Sequence, residues 1–474
     1  MLQFNMTING EPAQSGQSFD VIDPATGAPF AEVQKGTVDH VNQAVAAAKQ
    51  AFQSWSKTPD EERQAACNAL AAKIEANMPE LMELVTRETG KPMGGLNGIG
   101  SGMEVGGAAA WAQFTAGLEI PVDVLQDDDT ARVEVHRKPL GVIASITPWN
   151  WPLLIAIWHI LPGIRTGNTL VIKPSPYTPA ATSRFVDLAQ EVLPKGVLNL
   201  VHGEGEVGGA LTSHPDIAKI VFTGSTRTGR RIMESASASL KRITLELGGN
   251  DAGIVLPDVD VKDVAPKLFG AMFHNNGQTC AALKRLYVHE SQYDEMGAEL
   301  AAIAKTVRVG NGLDETTELG PIQNKAQLNI VLDLADSARQ DGGEFLTGGN
   351  QMDQPGYFYE PTIVAGLSDG TRLVDEEPFG PIVPIIKYAD IDDVIARANA
   401  NPQGLGGSIW SNDTDKAIEL AQRLECGSAW VNQHGSLAPN VPFGGVKQSG
   451  VGVEFGTYGL EEYTSIQALN VAKQ

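Results

Sequence analysis

Apolar positions change their period twice along this chain. Between residues 38 and 55, Val41, Ala44, Val45, Ala48 and Phe52 recur at helical spacing and predict an amphipathic helix. A second helix is predicted to open at Thr58-Pro59-Asp60-Glu61, read as an N-cap, a first-turn proline and a capping-box glutamate. From Gly141 the pattern becomes short β-branched runs at 142–146, 170–172, 197–201, 217–222 and 243–245, with helical stretches at 183–192, 207–213 and 228–236 between them. Such alternation predicts a parallel sheet covered on both faces, a doubly wound α/β fold. A second α/β series follows Gly249, with strands near 286–289, 383–386, 408–410 and 429–431. Two stretches fit neither series. Residues 121–138 read as a polar hairpin turning at Asp127-Asp128-Asp129, and 463–471 as a lone strand. Both are expected at an oligomer interface; a tail folded back on its own domain is the alternative.

A chain of 474 residues exceeds what one hydrophobic core supports, so two or three domains are expected. The net charge of −22 repels phosphate backbones and anionic lipid, which removes nucleic acid and membrane surfaces as partners. The three cysteines, Cys67, Cys280 and Cys426, are too few and too scattered for a disulfide framework or a C-x-x-C metal site, and no metal is expected. The first residues lack the basic start and apolar run of a signal peptide. The most apolar stretch, 151–164, is short and holds Pro152, His159 and Pro162, so it reads as core rather than a membrane span. A cytoplasmic location is expected.

Five segments carry candidate chemistry. Cys280, in Asn276-Gly277-Gln278-Thr279-Cys280-Ala281-Ala282, sits among small and polar neighbours, whereas Cys67 and Cys426 read as ordinary buried residues. A working thiol nucleophile also needs a base and oxyanion donors. Glu246, flanked by leucines at a strand end before Gly248-Gly249, is the candidate base, because desolvation raises a carboxyl pKa towards the useful range. Asn150, held in Thr147-Pro148-Trp149-Asn150-Trp151-Pro152 by two tryptophans and two prolines, is the candidate donor. Two glycine-bearing turns compete for a cofactor phosphate. Gly203-Glu204-Gly205-Glu206-Val207-Gly208 matches G-x-G-x-x-G but carries two glutamates; Thr223-Gly224-Ser225-Thr226-Arg227-Thr228-Gly229 offers hydroxyls and a helix N-terminus and is preferred.

Taken together and in this order, the motifs resemble the aldehyde dehydrogenase superfamily over nearly the whole chain. The landmarks are Thr147-Pro148-Trp149-Asn150, Lys173-Pro174-Ser175, Phe222-Thr223-Gly224-Ser225, Leu245-Glu246-Leu247-Gly248-Gly249, Gly277-Gln278-Thr279-Cys280, Glu376-Glu377-Pro378-Phe379-Gly380-Pro381 and Pro442-Phe443-Gly444-Gly445. The resemblance implies three units: a Rossmann-like coenzyme domain (1–120 and 139–248), an α/β catalytic domain (249–445) and a small β oligomerisation domain (121–138 and 456–474), assembled as a homodimer or homotetramer. It implies Cys280 as nucleophile, Asn150 and the Cys280 N–H as oxyanion donors, and Glu246 as the base that activates water against a thioester. NAD or NADP would contact Ile146, Trp149, Lys173, Ser175, Pro176, Gly224, Ser225, Gly229, Leu247, Glu377 and Phe379.

Three departures qualify this pattern. Many members carry a ribose-binding glutamate at Pro176, so NAD against NADP stays open, leaning slightly to NAD. Pro378 replaces an aliphatic residue and is expected to stiffen its loop. A second active-site glutamate of some relatives would fall at Thr457, which puts a proton relay there in doubt. The aldehyde entrance would be lined by Trp151, Ile155, Trp158, His434 and Leu437, which favours an aliphatic or aromatic aldehyde over a semialdehyde acid. Competing functions are a CoA-acylating dehydrogenase, a cofactor-independent thiol hydrolase and a binding protein on an inherited fold. The presence of Glu246 argues against the first, and Cys280 with Glu246 against the last.

Overall fold

The computed structural model describes residues 1–473; Gln474, the end of the predicted 456–474 segment, lies outside them. An eight-stranded sheet runs in the order Gly450–Val451, Arg242–Glu246, Ile217–Thr223, Val142–Ile146, Thr169–Lys173, Leu198–Leu200, Met6–Ile8 and Glu11–Ala13. Its five central strands are parallel. The chain enters at Val142–Ile146, builds outward to Leu198–Leu200, then crosses to add Ile217–Thr223 on the other side. The reversal leaves a crevice beyond the carboxyl ends of Val142–Ile146 and Ile217–Thr223, where ligands of such sheets bind. Thr147-Pro148-Trp149-Asn150 and Gly224-Ser225 follow these two strands. Helix Pro152–Arg165 explains the apolar run: all fourteen residues are buried. Among the described residues, no helix is long and apolar enough to cross a membrane.

The second series forms a seven-stranded sheet in the order Glu344–Thr347, Thr362–Ala365, Ile382–Tyr388, Leu283–His289, Asp251–Val255, Gly406–Trp410 and Ser428–Val431. Strand Asp251–Val255 was not predicted, because Asp251 and Gly253 interrupt its β-branched pattern, yet it is central and wholly buried. Helices Met78–Thr89 and Ser101–Gly117 were also not predicted. The second buries one face, but its open face also carries small apolar residues, Gly102, Gly106, Gly107 and Ala110, which erases an amphipathic stripe from the sequence.

The hairpin Asp123–Asp127/Ala131–Pro139 and the tail Thr464–Ala472 form a three-stranded antiparallel sheet of their own. The lone strand of the sequence thus finds its partner 325 or more residues earlier in the same chain, from Thr464 paired with Pro139 onwards. The capping reading at Thr58 is corrected. Helix Asp60–Ala76 is preceded by Pro59 at the cap position with no side-chain cap, while the Thr58 hydroxyl turns back to the Ser54 carbonyl.

Candidate active site

The Cys280 segment is set by its backbone. Asn275, Asn276 and Gly277 have φ of 49°, 58° and 71°, three successive left-handed residues that reverse the chain just before Gln278-Thr279-Cys280. Asparagine tolerates this conformation better than other side chains. At Gly277 a Cβ would stand 2.4 Å from the Gly380 carbonyl oxygen, so glycine is required there. Asn275 Nδ2 donates to the carbonyls of Gln278 and Asn150, both at 3.1 Å, and ties the reversal to the 147–151 turn.

The same turn fixes Asn150. Its Nδ2 donates to the Gln278 carbonyl at 3.0 Å, which uses one amide hydrogen and orients the plane while the other remains for an oxyanion. Its own carbonyl accepts from Lys91 Nζ at 3.0 Å. Lys91 and Glu104 form an ion pair with no exposed side-chain surface, and Glu104 Oε1 accepts the Leu153 and Leu154 N–H groups at the start of helix Pro152–Arg165. This buried pair anchors the turn on one side and caps the helix on the other.

Cys280, Asn150 and Glu246 line one cavity of about 220 Å³, together with Leu247, Gly248, Glu377 and Phe379. Burial pushes the Cys280 thiol up to about 12, with Glu246, Glu377 and Asp251 adding to the effect and Lys284 opposing it. Glu246 ends strand Arg242–Glu246 and is buried, and neither carboxyl oxygen has a hydrogen-bond partner. Burial first, and then the charge of Glu454, hold its pKa well above the ordinary carboxyl range. A second carboxyl therefore does act on Glu246, but from Glu454 rather than position 457, where Thr457 is exposed. His159 adjoins Glu454. Its Nε2 is 3.1 Å from both Glu454 Oε1 and Thr223 Oγ1, and its Nδ1 is 2.9 Å from Ser145 Oγ.

Gly248-Gly249 gives other groups room to approach. A Cβ at Gly248 would lie 2.2 Å from Glu377 Oε2, and one at Gly249 2.9 Å from the Cys280 carbonyl oxygen. Glu377 Oε1 accepts the Gly249 N–H at 3.2 Å and pairs with Lys284 at 3.2 Å. Phe379, at φ 46°, meets Trp149 edge-on with centroids 5.2 Å apart.

A second cavity of about 960 Å³ shares Pro148, Trp149, Thr223, Gly224 and Ser225 with the first. It is also lined by Ile146, Lys173, Ser175 and Pro176. Ser225 caps helix Thr226–Ser237, whose free N–H groups face the cavity end and suit a phosphate. Lys173 Nζ is held by the Pro174 and Gly203 carbonyls at 2.9 and 2.8 Å, and burial lowers its pKa to about 8. Gly205 and Gly209 line the same cavity, and a side chain at either would meet open space. These donors, hydroxyls and bare backbone surfaces fit a dinucleotide. Both glycine-bearing turns border the cavity. Gly229 does not reach it: a Cβ there would be 2.7 Å from Leu247, so its role is close helix–strand packing.

Of the expected entrance residues, Trp151, Ile155 and Trp158 belong to the core cluster against which Cys280 and Leu437 pack. Trp158 meets Phe455 edge-on at 4.6 Å and tilts against Trp111 at 5.9 Å, and Phe455 stacks on Phe443 at 5.9 Å. Neither Trp111 nor Phe455 is singled out by the sequence, and Phe443 only as part of a landmark motif, since the three lie on separated segments. His434 tilts against Trp430 of the same cluster, with ring centroids 4.9 Å apart. Its imidazole has no exposed surface, with Nδ1 2.9 Å from Ser408 Oγ and Nε2 3.6 Å from Asp251. Among the described residues no cluster of three or more His, Cys, Asp or Glu could hold a metal ion.

The family profile of the aldehyde dehydrogenases matches residues 11–469. Phenylacetaldehyde dehydrogenase of Pseudomonas fluorescens is 40% identical over 99% of this chain and 96% of its own length. Human retinaldehyde dehydrogenase 3 is 38% identical over 98% and 92%. Among solved structures, the NAD+ complex of aldehyde dehydrogenase from Bacillus cereus superposes with a TM-score of 0.96 at 33% identity, covering 100% of this chain and 97% of that one. Betaine aldehyde dehydrogenase from Staphylococcus aureus in complex with NAD+ gives 0.95 at 33% identity, over 100% and 95%. Sequence, fold and the paired cavities agree: the chain belongs to the aldehyde dehydrogenase family and is an NAD(P)-dependent enzyme that oxidises an aldehyde to its acid.

Proposed function

We propose that the substrate is an apolar aldehyde, aromatic or aliphatic, oxidised through a thioester on Cys280 with NAD+ as the preferred cofactor. The observation that carries this reading is one cavity holding a thiol, an amide with a spare hydrogen and an unpartnered carboxyl, opening onto a cavity suited to a dinucleotide. The thiol loses its proton to cavity water and the sulfur attacks the carbonyl carbon. Asn150 Nδ2 and the Cys280 N–H receive the oxyanion. A bound nicotinamide supplies the hydride acceptor that converts this adduct into the thioester. Glu246 then takes a proton from water as its oxygen attacks the thioester, and the acid leaves with the thiol restored. Lys173, Ser175 and Ser225 would hold the adenosine and phosphate portion; Glu377, Phe379 and Leu247 would hold the nicotinamide end.

Trp111, Trp158, Phe443 and Phe455 beside the Cys280 cluster favour an aryl group, and a 40% identical relative is named for phenylacetaldehyde. The preference for NAD+ is supported by the NAD+ complexes of two structural neighbours and by Glu204, a carboxylate in the cavity that also holds Lys173, near where Pro176 offers none. The sheet formed by 123–127, 131–139 and 464–472 exposes Val124, Leu125, Ile466, Leu469 and Val471, which supports its role as the oligomerisation unit of a homodimer or homotetramer. The coenzyme and catalytic domains would be 1–120 with 139–248, and 249–445.

The test is absorbance of the reduced cofactor with phenylacetaldehyde, benzaldehyde, hexanal and succinate semialdehyde, each with NAD+ and NADP+. The apolar aldehydes should give the higher kcat/KM. Equal or better turnover of succinate semialdehyde would overturn the substrate reading, and a preference for NADP+ the cofactor reading.

A further inference from the structure

Lys284 belongs to no motif and has no role in the mechanism above. It is the second residue of strand Leu283–His289, and its side chain is 2% exposed. A buried ammonium is costly unless it is paired and hydrogen-bonded. Here Nζ donates to the Cys280 carbonyl, approaches the Ala282 carbonyl at 3.5 Å, pairs with Glu377 Oε1 at 3.2 Å, and lies 5.9 Å from the Phe379 ring centroid. One side chain therefore joins the nucleophile's own backbone to the loop expected to hold the nicotinamide end.

From this geometry we infer that Lys284 is a positioning residue that supplies the cationic charge stabilising the Cys280 thiolate while clamping Glu377 to the nucleophile segment. The inference rests on the reading of Cys280 as nucleophile. The groups facing the thiol are Glu246 from strand Arg242–Glu246, Asp251 from strand Asp251–Val255, Glu377 from the 376–380 loop, and Lys284. Three are acidic and one is cationic. His274, nearby on the preceding helix end, adds no charge above its pKa: burial, together with His434, Lys284 and Lys91, pushes it down to about 4. Without Lys284 a thiol already disfavoured as thiolate by burial would face acidic groups alone. Methionine at 284 would keep the stem and remove the charge; arginine would keep the charge.

The experiment is the rate of Cys280 alkylation by iodoacetamide at matched neutral and mildly alkaline pH, well below the thiol's titration, in the full-length protein without cofactor, read on the Cys280 peptide by mass spectrometry. Lys284→Met should slow alkylation about tenfold at every such pH, the loss of thiolate expected from about one unit of pKa. Lys284→Arg should restore most of the rate, and Glu377→Gln, which removes an acid facing both groups, should raise it. An unchanged rate in folded Lys284→Met overturns the inference, as does Lys284→Arg behaving like Lys284→Met. Should Lys284→Met fail to fold, a rate near wild type in Lys284→Arg and a raised one in Glu377→Gln are both required, and either failing overturns it. Retained turnover in Cys280→Ala would instead sink the nucleophile reading, so the two failures are distinguishable.

Discussion

Replacing Glu246 by glutamine tests the proposed chemistry most sharply, because the structure allows the swap without repacking. The carboxyl is buried and makes no hydrogen bond, so an amide of the same shape breaks none. It also removes one member of a buried acidic pair, since Glu454 already raises the Glu246 pKa. Two magnitudes follow. A positioned general base is worth about 10²–10⁴ in rate, so steady-state kcat should fall by that factor, about 3–5 kcal/mol, while acylation proceeds. Stopped-flow absorbance should show about one equivalent of reduced cofactor per site, followed by a stalled phase with the acyl group on Cys280 by mass spectrometry. The second magnitude concerns stability. A carboxyl whose folded pKa is raised binds a proton more tightly when folded, so the wild type loses stability as pH rises above about 4.5 towards the folded value. The glutamine variant lacks that loss and should gain relative to wild type in thermal melts as pH rises above about 4.5. Glu454→Gln should shift the acid limb of deacylation to lower pH, because a neighbouring negative charge is gone. A steady-state kcat for Glu246→Gln within tenfold of wild type, or absence of the burst, would refute this assignment.

Cys280→Ala should abolish aldehyde oxidation, measured by reduced-cofactor absorbance; turnover above 1% of wild type would mean that another group carries the acyl chain. Gly248→Ala places a Cβ 2.2 Å from Glu377 Oε2 and should displace that carboxylate, raising the cofactor KM about tenfold by loss of one charge-assisted bond, while Cys280 alkylation persists. An unchanged cofactor KM would refute it. Lys91→Met leaves Glu104 buried without its cation and should cost about 3–5 kcal/mol in denaturant unfolding, whereas Lys91→Met with Glu104→Gln should cost less than the sum of the single changes. Additive losses would show that the pair acts independently.

What the sequence disclosed follows how local each role is. Asn150, Glu246 and Cys280 were legible because each follows or ends a recognisable strand or loop with distinctive neighbours. The 203–208 and 223–229 turns were legible for the same reason. Lys91 and Glu104 were not: they are thirteen residues apart with no shared periodicity, and only the packing of Ser101–Gly117 on Pro152–Arg165 brings them to the Asn150 turn. Glu454 was missed because its neighbours read as a glycine-rich loop. It reaches Glu246 only because Gly450–Val451 pairs antiparallel with Leu245 and Glu246. The loop position of His434 does not disclose its contacts: its ring tilts against Trp430 and stands beside Asp251, a carboxyl with no other partner. Where a side chain points is decided by such partners from distant segments.

The site therefore owes as much to backbone shape as to reactive side chains. A nucleophile whose own N–H serves the oxyanion must present sulfur and amide to the same cavity, which ordinary strand or helix geometry does not supply. Three consecutive left-handed residues achieve it, each non-glycine one at a cost of about 1–3 kcal/mol. Asn275 offsets part of that cost with two side-chain bonds, one of them to the Asn150 carbonyl. The strain is thus offset by contacts to the other half of the proposed oxyanion site, so the Cys280 loop and the Asn150 turn stabilise each other. Replacing Asn275 by alanine removes both bonds while keeping the unfavourable φ. It should therefore loosen Asn150 and the Cys280 amide together, lowering kcat more than it raises the aldehyde KM. A variant that raised only KM would show that the reversal serves substrate entry rather than the oxyanion.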